Sequence, residues 1–181
     1  DELRYGKIMI LTDADVDGSH IKGLFINFVH TFWPSLLQTD FLTAMRTPII
    51  KAKKGSQVKT FYTKQDYDKW LETHRNQNWH IKYYKGLGTS TANEAKEYFR
   101  ELNKNLVEYK HSESTNTDIE LAFKKTMSDN RKKWIEDKNK ETLSTNTKVT
   151  FGEFIHKDLV WFSIADNVRS IPNIMDGFKP S

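Results

Sequence analysis

The sequence predicts an α/β fold, a parallel sheet with flanking helices followed by a helical C-terminal segment. Three observations predict it. Ile8-Met9-Ile10-Leu11 is a short continuous apolar run, the mark of a buried strand whose usual home is a parallel sheet. Beyond an acidic turn, Ile21, Leu24, Phe25, Phe28, Val29 and Phe32 recur at steps of three and four, an amphipathic helix that Pro34 ends. Strand, turn and helix in that order make half of a βαβ unit, and strand and helix patterns keep alternating behind it.

Taken in order, Ser19 stands where it could cap that first helix. Residues 41–52 read as extended, with Pro48 arguing for an edge or a bulge. A second strand, 58–62, follows across the Gly55-Ser56 turn, and 65–73 reads as helix. Residues 79–84 alternate and read as a strand, which Gly86-Leu87-Gly88 breaks. Thr91 and Glu94 have the spacing of a capping box, and the helix they open carries Ala95, Phe99, Leu102, Leu106 and Tyr109 on one face. Ser112 to Thr117 is a polar loop, and Ile119 to Trp134 is helical in two pieces. Residues 137–149, rich in Lys, Asn, Thr and Ser, read as a linker. A second capping box, Thr150 with Glu153, starts an apolar helix that runs to about Val168, before Pro172 and Gly177 turn the chain.

Composition narrows the function classes. Hydrophobic residues make up 37% and aromatics 13% of the 181, enough for a real core. No apolar run reaches membrane-spanning length, and nothing at the start resembles a signal peptide. Cysteine is absent, which removes disulfides, thiolate metal sites and cysteine nucleophiles. The net charge is +4. Its distribution says more than its size: 51–64 holds five lysines and no acid, while Asp13, Asp15 and Asp17 cluster elsewhere. Basic tracts beside one tight carboxylate cluster suit phosphate chemistry. The chain opens without an initiator Met and stops in loop-like sequence, so it reads as a segment of a larger protein.

Three aspartates at alternating positions bring like charges close, which is unfavourable unless a cation shares them. Hard carboxylate oxygens favour Mg²⁺ or Ca²⁺. The position between a buried strand and a helix is the usual ligand site of an open α/β sheet. An EF-hand shares the Asp-x-Asp-x-Asp-Gly start, but its twelfth position here is Leu24 where a bidentate Glu is required, and a strand-like run precedes it. A Mg²⁺-dependent phosphatase using Asp13 as nucleophile stays open, although its further lysine and acidic motifs cannot be placed. So does a structural DNA-binding module whose acids do nothing.

Thr12-Asp13-Ala14-Asp15-Val16-Asp17-Gly18-Ser19-His20-Ile21-Lys22-Gly23-Leu24 closely resembles the acidic motif of the Toprim domain of type IIA DNA topoisomerases. Tyr83-Tyr84-Lys85-Gly86-Leu87-Gly88-Thr89-Ser90 resembles the second Toprim signature of the same family. Ile171-Pro172-Asn173-Ile174-Met175-Asp176-Gly177-Phe178-Lys179-Pro180 resembles the segment that enters its winged-helix domain. Three motifs in family order span nearly the whole chain. The Lys-Gly-Leu-Gly-Thr form and the long insert are closer to eukaryotic and large-DNA-virus enzymes, whereas Ala14 and Val16 are closer to the bacterial version.

The resemblance implies a Rossmann-like Toprim domain, incomplete at its N-terminal strand, over 1–136 with a helical insert. A linker over 137–149 and the start of a winged-helix region over 150–181 would follow. It implies an ATP-dependent enzyme that passes one duplex through a transient double-strand break, acting on double-stranded DNA as a homodimer away from membranes. Mg²⁺, in a one- or two-metal site, is implied to act through Asp13 and Asp15, with Asp17 in support. The family's glutamate lies upstream of the acidic motif, its nucleophilic tyrosine lies downstream of Lys179, and its ATP-binding domain precedes Asp1, so this chain alone is expected to be inactive. Lys85, before a glycine turn that opens a helix, makes a phosphate site with the backbone N–H groups. His20 and Lys22 beside the acids, and Lys179, are the other expected DNA contacts. Plainer readings stand beside these: an exposed helix face for Lys22, a hydrogen bond to the acidic turn for His20, a solvated hairpin for the lysines of 51–64. The implied location is the nucleus for a cellular eukaryotic protein, and host cytoplasm or nucleus for a viral one.

Overall fold

Ile8–Ile10 forms β1 and runs parallel to β2, Leu42–Met45, in the register Ile8 to Leu42. A parallel pair needs a crossover. Here it is α1, Val16–Phe32, followed by a 3₁₀ turn over Pro34–Gln38. The computed structural model describes residues 3–137 and 146–170, so the 171–180 motif with Lys179 and the middle of the expected linker lie outside the described residues.

The apolar stripe of α1 is only half used. Gly23, Ile26 and Val29 are buried, but Ile21, Leu24, Phe28 and Phe32 are 46–62% exposed. The helix is rotated because Gly23 lies against Phe123 and Leu159, and the absence of a Cβ there draws that face inward.

The stretch 41–52, expected as one extended run, is two strands in two sheets. β2 ends before Pro48, whose missing N–H cannot extend a ladder, and β3, Ile50–Lys54, begins beyond it. Gly55, at φ 58°, turns β3 into the antiparallel β4, Gln57–Phe61. Then come α2, Lys64–His74, capped by the Thr63 hydroxyl, and β5, His80–Tyr83, on the other side of β3. This sheet, ordered β4-β3-β5, has its own small core of Ile50, Ala52, Phe61 and Tyr67 with Trp70 and Trp79 packed on it.

A 3₁₀ turn over Leu87–Thr89 leads to α3, Ala92–Arg100, whose Thr91–Glu94 capping box forms as expected. The expected continuation of this helix to Tyr109 is corrected. After the single turn α4, Leu102–Asn105, the chain becomes β6, Leu106–Lys110, antiparallel to β2. Steps of four and three from 102 to 109 fit a helix face, but Leu-Val-Glu-Tyr also fits a strand, and burial decides. Tyr109 is 2% exposed and stacks on Phe151 with ring centroids 5.4 Å apart. Asn105 is buried at the junction, accepting from the Tyr62 hydroxyl at 2.7 Å and donating to the Tyr98 carbonyl at 3.3 Å.

The two-piece helix is α5, Thr115–Phe123, and α6, Ser128–Glu136, with a 3₁₀ turn over Lys125–Met127 between them. It starts inside the stretch expected as loop, where Ser112 and Thr115 hydrogen-bond each other. The end of the expected linker is β7, Lys148–Thr150, parallel to β6. The main sheet, ordered β1-β2-β6-β7, is therefore mixed, with two parallel pairs around an antiparallel one. α7, Phe151–Phe154, carries the second capping box, runs through a π turn over Ile155–Leu159 and continues as α8, Val160–Ser170. Val149, Phe151, Phe154, Ile155 and Leu159 pack in one core with Ile26, Val29, Tyr109 and Ile119. The Thr150 cap holds this segment in place, with its Oγ1 accepting from the Glu153 N–H at 3.0 Å. Thr150→Ala is expected to destabilise the fold by about 1 kcal/mol, read as a small fall in the denaturation midpoint.

Candidate functional site

At the carboxyl end of β1 the chain passes through Asp13 and starts α1 at Val16. The cap is Asp15, not Ser19: its backbone is extended and its Oδ1 accepts the Gly18 N–H at 2.7 Å. An Asp two residues before the first free N–H groups out-competes a Ser one turn inside. Asp17 lies in the first turn, where the helix dipole favours negative charge and offsets part of the repulsion among the acids. Gly18 is required by close approach, since a Cβ there would overlap the Asp13 carbonyl oxygen.

The second motif folds onto the first. The Leu87 N–H donates to Asp13 Oδ1 at 2.7 Å across 74 residues. Gly86 lies flat against the same carboxylate, where a Cβ would stand 2.8 Å from Oδ2. Lys85, one residue earlier, is exposed. The acidic turn and the Lys-Gly-Leu-Gly loop are thus one site.

The three aspartates do not converge. Among the described residues no group of three or more His, Cys, Asp or Glu is placed to hold a metal. Asp13 and Asp15 each use Oδ1 on a backbone N–H. Asp17 Oδ1 instead accepts from the Arg169 guanidinium at 3.0 Å, at the end of α8. Mg²⁺ is commonly held by one or two carboxylates plus water and substrate phosphate. Asp13 and Asp15 fit that partial donor set, and Asp17, held by Arg169, does not.

His20 makes no bond to the acidic turn. Its ring stacks on Phe162 at 3.7 Å and 5°, and burial lowers its pKa against the pull of Asp166 and Asp17. Lys22 is not on an open helix face either. It lines a cavity of about 450 Å³ with Arg46 and Asp158, its Nζ 5.9 Å from the Phe154 ring. Burial lowers the Lys22 pKa and raises that of Asp158 to about 6, although Lys22, Arg46 and Lys157 pull the acid back down. The basic hairpin is partly committed: Lys51 pairs with Glu97 at 2.9 Å and Lys54 bonds Gln77 at 3.0 Å.

Arg169, Asp158 and Glu94 carry the site's electrostatics beyond the expected residues. Spacing cannot reveal Arg169, which lies 152 residues from Asp17. A signal for Asp158 was available, an acid in a strongly apolar helix, and the π turn that presents it is a common feature of functional sites.

The sequence matches the family described as the C-terminal associated domain of TOPRIM over residues 45–167. It is 49% identical to human DNA topoisomerase 2-beta over 98% of this chain and 12% of that protein. It is 47% identical to a mitochondrial DNA topoisomerase 2 of Caenorhabditis elegans over 100% of this chain and 16% of that protein. The structure superposes with a TM-score of 0.91 and 43% identity on the Plasmodium falciparum topoisomerase II DNA-binding, cleavage and re-ligation domain, covering 99% of this chain and 25% of that one. The chain thus spans a small part of the proteins it matches.

Proposed function

Because the chain belongs to the type IIA DNA topoisomerase family, as part of its Toprim region, we propose that it serves in the DNA-cleavage core of an ATP-dependent enzyme. That enzyme passes one duplex through a transient double-strand break in another. The observation that carries this reading is the bond from the Leu87 N–H to Asp13, which brings both motifs into one site.

Asp13 and Asp15 would hold Mg²⁺. The ion would stabilise charge on the leaving 3′-oxygen and anchor a neighbouring phosphate. The chain's own groups prepare that site. The Leu87 N–H fixes the rotamer of Asp13, the helix N-terminus fixes Asp15, and Arg169 balances the charge of Asp17. Exposed Lys85 faces the approaching DNA backbone, with Lys179 as a further contact, whereas His20, stacked on Phe162, and Lys22, turned into the cavity with Asp158, are not presented to it. The 150–181 segment would lead into a winged-helix DNA-binding region, although Val149 to Leu159 pack in the same core as the main sheet. Attack on DNA needs a tyrosine from outside this chain. Tyr67, Tyr84, Tyr98 and Tyr109 are buried, and the exposed Tyr5 and Tyr83 lie in no sequence that resembles the family's tyrosine motif. ATP is used by another domain of a homodimeric parent, nuclear if cellular and in host nucleus or cytoplasm if viral. Among the described residues no helix is long and apolar enough to cross a membrane.

Titration with Mg²⁺ or Mn²⁺ tests the metal reading. The Asp13→Ala, Asp15→Ala double variant is expected to lose about tenfold or more in affinity, and duplex binding to weaken as salt rises. The chain with Mg²⁺ and ATP is expected to leave supercoiled plasmid unrelaxed. Unchanged metal affinity in the double variant, or relaxation above a matched blank, overturns the proposal.

A further inference from the structure

The loop that meets Asp13, residues 85–90, is tied at both ends to one carboxylate. Glu94 sits in the first turn of α3. On the side where the loop begins, its Oε1 accepts from the hydroxyl of Tyr84, the residue just before Lys85. On the side where the loop ends, its Oε2 accepts from the backbone N–H of Thr91 at 2.8 Å and from the Thr91 hydroxyl at 3.0 Å. Thr91 is the residue just after Ser90. Lys82, at the end of β5, binds both carboxylate oxygens, at 3.0 and 2.8 Å, and its Nζ lies 4.7 Å from the Tyr84 ring centroid. Tyr84 is buried, and its N–H is held by the Ile49 carbonyl at 2.9 Å.

A cap alone needs only the Thr91 bonds. The other three bonds reach back across the loop to the strand that feeds it. They close a ring from Tyr84 through Glu94 to Thr91, with Gly86 and Leu87 on its free side against Asp13. We infer that Glu94 is the positioning residue of this site: one carboxylate pins both ends of the 85–90 loop, so that the Leu87 N–H stays aimed at Asp13. The inference rests on the metal-site reading for its consequence and on the hydrogen bonds alone for its geometry. Burial by itself would raise the Glu94 pKa, but the bonds from Lys82, Tyr84 and Thr91 hold it down to about 2, so the carboxylate stays charged under ordinary conditions. Glutamine at this position keeps the shape. It must turn an amide NH₂ toward one of two sets of donors, the Lys82 and Tyr84 pair or the Thr91 pair, and so releases one end of the loop.

The test compares two capping glutamates in the 181-residue chain. Glu153 closes the other capping box, at α7, away from the loop. Glu94→Gln is expected to speed hydrogen exchange of the Leu87 amide by about tenfold and to weaken Mn²⁺ binding several-fold, read as paramagnetic broadening at Leu87. Tyr84→Phe, which removes a single hydroxyl, is expected to shift both readouts in the same direction by less. Glu153→Gln is expected to move neither. Equal effects from the two glutamates, or Leu87 protection unchanged in both Glu94→Gln and Tyr84→Phe, overturns the inference. If the unaltered chain binds no Mn²⁺, the metal reading fails while the exchange measurement still decides whether Glu94 positions the loop.

Discussion

Among the described glycines, Gly18→Ala is expected to be the most damaging single-methyl change. Alanine is the better helix former by about 1 kcal/mol, so propensity alone predicts a gain at a position inside α1. The clash decides the sign. The new Cβ would overlap the Asp13 carbonyl oxygen and crowd the carbonyl carbon as well. Both are backbone atoms between β1 and the helix cap, and neither can swing aside as a flexible side chain would. Overpacking of a well-packed site costs typically about 1–3 kcal/mol and occasionally more, and a backbone obstacle puts this site at the upper end. At about 2–4 °C per kcal/mol for a chain of this size, the melting temperature should fall by roughly 10 °C. Gly88→Ala is the control, since nothing lies within 4 Å of a Cβ there. Calorimetry or circular dichroism on the two variants reads the difference. Equal melting temperatures would mean that the Asp13 carbonyl does not lie over Gly18. The same substitution should also release the Leu87 amide, because displacing the Asp13 backbone displaces its carboxylate.

Asp158→Asn is expected to stabilise the protein above neutral pH and to do little in acid. Asp158 lines the cavity with Lys22 and Arg46, and burial raises its pKa from an ordinary 3.8 to about 6 despite those cations and Lys157. Between these values the folded state holds a proton that the unfolded chain has released. Stability from this residue is therefore complete below about pH 4 and falls as pH rises toward 6. Above that the folded protein carries a charge in a poorly solvated place. Asparagine keeps the shape without the charge. The variant should gain at most about 3 kcal/mol at pH 7.5, with the gain shrinking to nothing near pH 4. Urea denaturation across this range checks it. A variant that is less stable at pH 7.5 would show that the attraction to Lys22 and Arg46 outweighs the burial of the charge.

What could be read from the chain and what could not separate along one line. Elements whose signals are local came out where expected: β1, α2, the Gly55 turn, both capping boxes and the two-piece helix around residue 125. Elements whose signals are ambiguous without a partner did not. Leu102, Leu106 and Tyr109 satisfy helical spacing, and only the position of β6 between β2 and β7 makes Leu106–Lys110 a strand. Likewise Ser19 and Asp15 are both good caps, and the backbone entry from β1 selects Asp15.

The candidate site divides in the same way. The acidic motif and the glycine loop are legible because like charges at short spacing and paired glycines each demand an unusual environment wherever they occur. From sequence alone, then, came the chemistry on offer: carboxylates for a hard cation, glycines for close approach, lysines for phosphate, and a family signature. Only the tertiary structure decided which of these groups meet. It sent Asp13 to the Leu87 N–H, Asp17 to Arg169, Lys22 into a cavity and Glu94 to both ends of one loop. The reason is physical. A residue's type sets what it can bind, but distances between residues 74 and 152 positions apart depend on how strands pair and helices pack, and no local pattern encodes them.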